Sequence, residues 1–226
     1  MSKANAIKDG TEQVRELNAK KLRELAGRDL AAAKYPLYVF FDNPRFQMPN
    51  LKGLDAISNE AVKELSVAAC RLVALEGIDC FVKLKRLWAG KNAIKRCSIN
   101  FASLDLLDLS KNALFEIPDL SGCPNLKELD VSGNKIRGVW SGLISSSRLQ
   151  KLNLSKNKVK WDRDLWGAAM GIAQGLTSLK ELTLQGNKVT KAEGYRYYMA
   201  NYLVNLKILD DVETSGDAHQ VNNSTV

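Results

Sequence analysis

Histidine, proline and paired cysteines are scarce in this chain, and long apolar runs are missing; each shortage excludes something. His219 is the single histidine of 226 residues and lies in a polar stretch, DAHQVNNSTV, where it reads as a solvated residue with no second imidazole to share a metal. The patterns G-x-S-x-G, G-x-x-x-x-G-K and H-E-x-x-H do not occur, so no frame for nucleophilic, phosphate-loop or zinc catalysis is present. Asp105 and Asp108 are three residues apart, an odd offset that sends them to different faces of one strand, so they make no acid-base pair. The expectation is a non-catalytic protein without a cofactor or bound metal. Cys70, Cys80, Cys97 and Cys123 show no C-x-x-C spacing and read as reduced thiols. No apolar run approaches the roughly 18 residues of a membrane span, and MSKANAIKDGTEQ lacks the apolar centre of a signal peptide. The implied setting is intracellular, nuclear or cytoplasmic, with no membrane.

Charge is plentiful but dispersed. Lysine and arginine number 33 against 25 acidic residues, a formal net charge of +8. That excess admits nucleic acid or an acidic partner. The basic residues form no arm or tract, so a solvated surface and a weak polyanion-binding face both stay open.

What is abundant is leucine at fixed spacing. The stretch from Leu104 to Ile136 holds the pattern L-x-x-L-x-L-x-x-N-x-L twice, as Leu104, Leu107, Leu109, Asn112, Leu114 and as Leu126, Leu129, Val131, Asn134, Ile136. Further copies start at Val62, Leu84, Leu149 and Leu179, with Cys70 in the asparagine position of the first. The steps between starts are 22, 20, 22, 23 and 30 residues. This is the leucine-rich repeat signature, in which a short strand puts alternate apolar residues into the core and the asparagine turns inward at the corner. One such repeat cannot bury its own face, so the fold class expected is an α/β right-handed solenoid with a parallel concave sheet, convex turns and helices, an N-terminal helix and a C-terminal cap.

Three regions are expected along the chain: an extension over 1–34, the repeat domain over 35–212 with its cap from about residue 190, and a disordered tail over 213–226. Val14, Leu17, Leu22 and Leu25 recur at helical spacing and predict an amphipathic helix over residues 11–33, which either caps the open end of the solenoid or binds a partner. YPLYVFFDN predicts a first, irregular strand with Val39 and Phe41 inward. ALFEIPDLSGCPN should be loop or one tight turn, whereas WDRDLWGAAMGIAQGL predicts a helix. Thr190 and Glu193 form a T-x-x-E capping box expected to start a helix running to Leu203, followed by a closing strand through Leu206, Ile208 and Leu209 and a polar tail from Val212.

Tyr195-Arg196, an apolar helix, then Leu206-Lys207-Ile208-Leu209-Asp210 resembles the C-terminal cap of intracellular leucine-rich repeat proteins, with Val204 in place of the usual proline. Asp42-Asn43-Pro44-Arg45, Leu51-Lys52-Gly53-Leu54 and ACRLVALEGIDCFVKLKRL resemble the opening of the acidic leucine-rich nuclear phosphoproteins, over roughly residues 36 to 211. The related A-prime subunit of the U2 spliceosomal particle shares the cap. The resemblance implies a monomeric binding module within a complex. Its protein partner is of unknown identity, and association with RNA or a ribonucleoprotein is an alternative, as are cytoskeletal or axonemal assembly and phosphatase targeting. The chain departs from the phosphoproteins in lacking their long acidic tail.

Repeat geometry also places the binding surface, because residues between the core leucines face out of the sheet. One column is Ser66, Trp88, Asp108, Asp130, Asn153 and Thr183; the next is Glu64, Arg86, Leu106, Glu128, Lys151 and Glu181. Arg86, Trp88, Leu106, Asp108, Glu128, Asp130, Lys151, Asn153 and Thr183 are the candidate partner-binding residues, an acidic centre beside a large aromatic and an arginine. The alternative is a solvated surface with no specific role.

Overall fold

The computed structural model describes the backbone of residues 37–40 and then residues 62–137, 141–143, 145–160 and 175–214. The helix expected over 11–33 and residues 161–174 of the one expected over 161–176 lie outside the described residues, as do Phe41 and the motifs between Asp42 and Leu54; Gly175 and Leu176 are not helical.

Each copy of the pattern makes one short strand, because only two or three residues between core leucines can be extended before the asparagine corner. Strands β1 (Leu37–Phe40), β2 (Val62–Ser66), β3 (Arg86–Trp88), β4 (Leu106–Asp108), β5 (Glu128–Asp130), β6 (Lys151–Asn153), β7 (Glu181–Thr183) and β8 (Ile208–Leu209) stack in chain order, every pair parallel. Val39, Leu65, Leu87, Leu107, Leu129, Leu152, Leu182 and Leu209 lie opposite one another along the sheet. From Leu65 onward these leucines are at most 2% exposed. Behind them, Phe81 and Phe101 fill the wider part of the core. The segment from Leu114 to Asn125 contains no helix, and the turn before β3 is a single 3-10 turn, Ile78–Cys80.

The corners hold the turns to one another. Asn112 Oδ1 accepts from Ile94 N–H of the preceding turn at 3.0 Å, while its Nδ2 donates to Ala89 O of that turn and to Leu109 O of its own, at 2.9 and 3.0 Å. Asn92, Asn134, Asn157 and Asn187 repeat this arrangement. A buried amide thereby satisfies backbone groups that the short strands leave without partners. One residue earlier, Ala69, Lys91, Lys111, Gly133, Lys156 and Gly186 all have left-handed backbone, with φ between 53° and 77°. That conformation bends the chain sharply enough to point the asparagine inward.

At the C-terminal end two details differ from the sequence reading. Thr190 and Glu193 do not cap a helix: Lys188–Lys191 is a 3-10 turn in which the Thr190 hydroxyl donates to Asn187 O, and helix α1 (Tyr195–Tyr202) starts after Gly194 in a left-handed conformation. The repeat's own corner at Asn187 takes precedence over the local capping signal. Val212, assigned above to the tail, instead forms β9 (Val212–Glu213), antiparallel to β8, and Thr214 is buried with its hydroxyl donating to Leu206 O at 2.7 Å. The cap closes through polar contacts: Tyr195 OH donates to Asp210 Oδ2 at 3.0 Å, Leu184 N–H to Asp210 Oδ1 at 2.7 Å, and Arg196 to Leu209 O at 3.0 Å. Burial first, and then the Asp210 charge, push the Tyr195 hydroxyl well above the ordinary tyrosine pKa.

Candidate functional site

The parallel register decides what the open face of the sheet presents. Glu64, Arg86, Leu106, Glu128, Lys151 and Glu181 pair in one row across β2 to β7, and Ser66, Trp88, Asp108, Asp130, Asn153 and Thr183 pair in the next. These are the two columns expected from the repeat, and all nine candidate residues fall in them. Ser66 is buried; Arg86, Glu128 and Lys151 are exposed, and the remaining members are half-buried. From Trp88 to Thr183 the columns line an open groove of ≈ 340 Å³.

Charge along the groove is not uniform. At one end Arg86 pairs with Glu64 at 3.1 Å, and at the other Lys151 pairs with Glu181 at 3.0 Å. The hydrogen bond and charge of Glu181 raise the pKa of Lys151, with a smaller contribution from Glu128. Both cations of the columns are thus matched by a carboxylate. Asp108, Glu128 and Asp130 remain in the centre around the partly exposed Leu106, with no ion pair to any described residue.

Two of these carboxylates also have a structural task. Asp108 Oδ1 accepts from Ser110 N–H at 2.7 Å, Asp130 Oδ1 from Ser132 N–H at 2.8 Å, and Asn153 Oδ1 from Ser155 N–H at 3.0 Å. Each is a side-chain turn that closes the strand end. Asn153 Nδ2 further donates to Asp130 Oδ2 at 3.0 Å. The triplets Asp108-Leu-Ser110, Asp130-Val-Ser132 and Asn153-Leu-Ser155 recur at one place in successive repeats, a signal present in the sequence but not used above. Where β3 carries Trp88 instead, position 90 is glycine; a Cβ there would meet Ser110 Oγ at 2.9 Å and Asp108 Oδ2 at 3.1 Å.

Among the described residues no group of three or more His, Cys, Asp or Glu side chains is placed to hold a metal. Cys70 and Cys123 are buried, and burial pushes the Cys97 thiol up to about 12, so it is not a ready nucleophile at neutral pH. No helix among the described residues is long and apolar enough to cross a membrane.

Comparison with known proteins fits this geometry. The Leucine Rich repeat family matches residues 122–139, the turn carrying β5 and Asn134. Among solved structures, an internalin of Listeria monocytogenes superposes with a TM-score of 0.59 at 21% identity, over 78% of this chain and 48% of its own. A leucine-rich repeat protein of Leptospira interrogans gives 0.55 at 24% identity, over 77% and 40%. The fold is a leucine-rich repeat solenoid. In sequence, the leucine-rich repeat chain is similar to acidic leucine-rich nuclear phosphoprotein 32 family member A of Drosophila pseudoobscura, 29% identical over 70% of this chain and 51% of that protein. It is also similar to the U2 small nuclear ribonucleoprotein A' of Saccharomyces cerevisiae, 33% identical over 46% and 42%. The chain therefore spans about half the length, or less, of these two curated relatives.

Proposed function

We propose that this leucine-rich repeat chain is a non-catalytic adaptor that holds a basic segment of a partner protein across the open face of its sheet. The observation that carries the reading is the group Asp108, Glu128 and Asp130, left without ion pairs between two matched pairs on a chain whose formal net charge is +8. A local negative field on a positive protein steers and orients a cationic partner, while Leu106 and Trp88 supply apolar contact beside it. The names of the nuclear phosphoprotein and ribonucleoprotein relatives support a nuclear setting, and the second supports work within a ribonucleoprotein.

The test is a triple variant, Asp108→Asn, Glu128→Gln, Asp130→Asn, used in affinity purification from the source cells with nuclease present and in titration with the basic segment so identified. Asparagine retains the acceptor for Ser110 and Ser132 N–H, as Asn153 does for Ser155, but at position 130 it gives up the acceptor for Asn153 Nδ2, so urea unfolding of the variant is compared with that of the parent. A loss of affinity of about tenfold or more is expected, equivalent to ~1.4 kcal/mol or more. Unchanged binding would remove the open face from the interaction.

A further inference from the structure

The basic residues look scattered in the sequence because they are about one repeat apart; the solenoid brings them into register. Backbone ladders run past the strands into the corners: Lys91 N–H bonds Ser110 O, Lys111 N–H bonds Ser132 O, Gly133 N–H bonds Ser155 O and Lys156 N–H bonds Gln185 O, at 2.7 to 2.8 Å. A second ladder runs in the opposite sense, from Ala113 N–H to Ile94 O, Lys135 N–H to Leu114 O and Lys158 N–H to Ile136 O, at 2.8 to 2.9 Å. The corner positions therefore form rows across the turns. The first is Lys91, Lys111, Gly133, Lys156, Gly186; the second Ala93, Ala113, Lys135, Lys158, Lys188; the third Lys95, Phe115, Arg137, Lys160, Thr190. Nine of these 15 positions are basic and none is acidic. All nine cations are exposed, and none forms an ion pair with a described residue.

Within this ledge Phe115 is 50% exposed, and the Lys135 ammonium sits 5.7 Å from its ring centre. Lysine in three of the first-row corners is also held in the left-handed conformation that glycine takes at Gly133 and Gly186, so those charges are kept at a conformational cost. Along the chain Glu116 adjoins Phe115, Asp162 follows Lys160 by two residues, and Asp108 and Asp130 precede Lys111 and Gly133 by three; Asp108 and Asp130 accept from Ser110 and Ser132 N–H, and both Asp119 oxygens are bonded to Ser121. Five turns at about 4.8 Å per strand step make the ledge about 19 Å long.

We infer that this ledge at the carboxyl ends of the strands binds single-stranded nucleic acid, its cations taking the phosphates and Phe115 stacking on a base. Cations in rows would serve any polyanion; the exposed aromatic among them selects unpaired bases, which offer a ring face that a duplex keeps stacked. The surface is separate from the carboxylate groove and goes beyond the adaptor reading.

The experiment is fluorescence anisotropy of the full chain with labelled oligo-uridine RNA and oligo-thymidine DNA of equal length over a salt series. Oligo-glutamate and vesicles of phosphatidylcholine with phosphatidylserine are the competing polyanions. Lys135→Gln, Lys158→Gln, Lys160→Gln together should weaken strand binding and reduce the dependence of log affinity on log salt by about 2, near 0.7 per lysine. Phe115→Ala should weaken binding by about 5- to 150-fold with the salt slope unchanged. Preference for RNA over DNA would identify the 2′-hydroxyl as a further contact, and equal binding would identify phosphate and base alone; either supports the inference. Oligo-glutamate or vesicles bound as tightly as the strands would overturn it. So would a Phe115→Ala variant that melts like the parent and binds as well. The Asp108→Asn, Glu128→Gln, Asp130→Asn variant should bind the strands no less tightly, and a loss there would place the nucleic acid in the groove instead.

Discussion

Replacing Asn134 by alanine removes no apolar contact of consequence, yet it should be among the most damaging single changes in the chain. The amide of Asn134 accepts from Leu114 N–H at 3.0 Å and donates to Leu109 O and Val131 O at 3.0 and 2.9 Å, and the residue is 6% exposed. Alanine strands the Leu114 N–H in space too enclosed for bulk water, while Leu109 O and Val131 O each lose one amide bond and keep the one from Asn112 or Asn157. A stranded buried N–H costs about 1–3 kcal/mol, and the two carbonyls that each keep one bond add less than that, so a loss of ~2–4 kcal/mol is expected. Asn134→Asp sharpens the test. Its carboxylate keeps the bond from Leu114 N–H but turns lone pairs toward Leu109 O and Val131 O, so at neutral pH it should be no better than alanine. The assay is urea unfolding followed by far-ultraviolet circular dichroism, with the slope compared between variants because repeat arrays can lose single-step behaviour. A loss below about 1 kcal/mol, or an aspartate variant as stable as the parent, would refute the idea that the corner amides hold the turns together.

Three further outcomes are expected. Leu129→Ala should cost about 2–5 kcal/mol in the same urea assay, since Leu129 is 2% exposed and packs between Leu107 and Leu152 on the adjoining strands. Tyr195→Phe should cost about 1.5–3 kcal/mol by removing a hydrogen bond to a carboxylate. The folded pKa of Tyr195 lies above the unfolded value of about 10, so its contribution is full below pH ~10 and falls as pH rises further; the alkaline decline of stability should be shallower in the phenylalanine variant. Lys91→Gly, at φ 58°, should raise stability by about 0.5–1 kcal/mol, because relief of left-handed strain outweighs glycine's extra chain entropy; a loss would mean that the side chain makes a contact worth more than the strain.

The repeat template made the sheet and both groove columns legible, because register follows automatically once the core leucines are aligned: Leu106 opposite Glu128 and Asp108 opposite Asp130 need no further information. The template says less about positions whose role comes from a neighbouring turn. Asp108 and Asp130 read from the sequence as solvent-facing acids; the recurring Asp-x-Ser spacing carries the turn signal, and the corner geometry shows the Ser110 and Ser132 N–H groups they accept from. Thr190 and Glu193 fit a local capping rule, but Asn187 bonds to Leu154 O of the preceding turn, and that longer-range demand sets the chain path. Lys135 and Lys158 are 23 residues apart in sequence and one turn apart in space, so a search for basic runs passes over them.

The corner amides all point the same way. Asn92 serves the turn of Val67, Asn112 that of Ala89, Asn134 that of Leu109, Asn157 that of Val131 and Asn187 that of Leu154, each reaching toward the amino end. The corner backbone groups of every turn are therefore satisfied by its successor's amide, which gives the solenoid a mechanical polarity. A force peeling turns from the carboxyl end exposes, at each step, the backbone groups of the next turn to go, so failure there propagates as a running zip. Tyr195, Arg196 and Asp210 form the clasp that keeps the zip from starting.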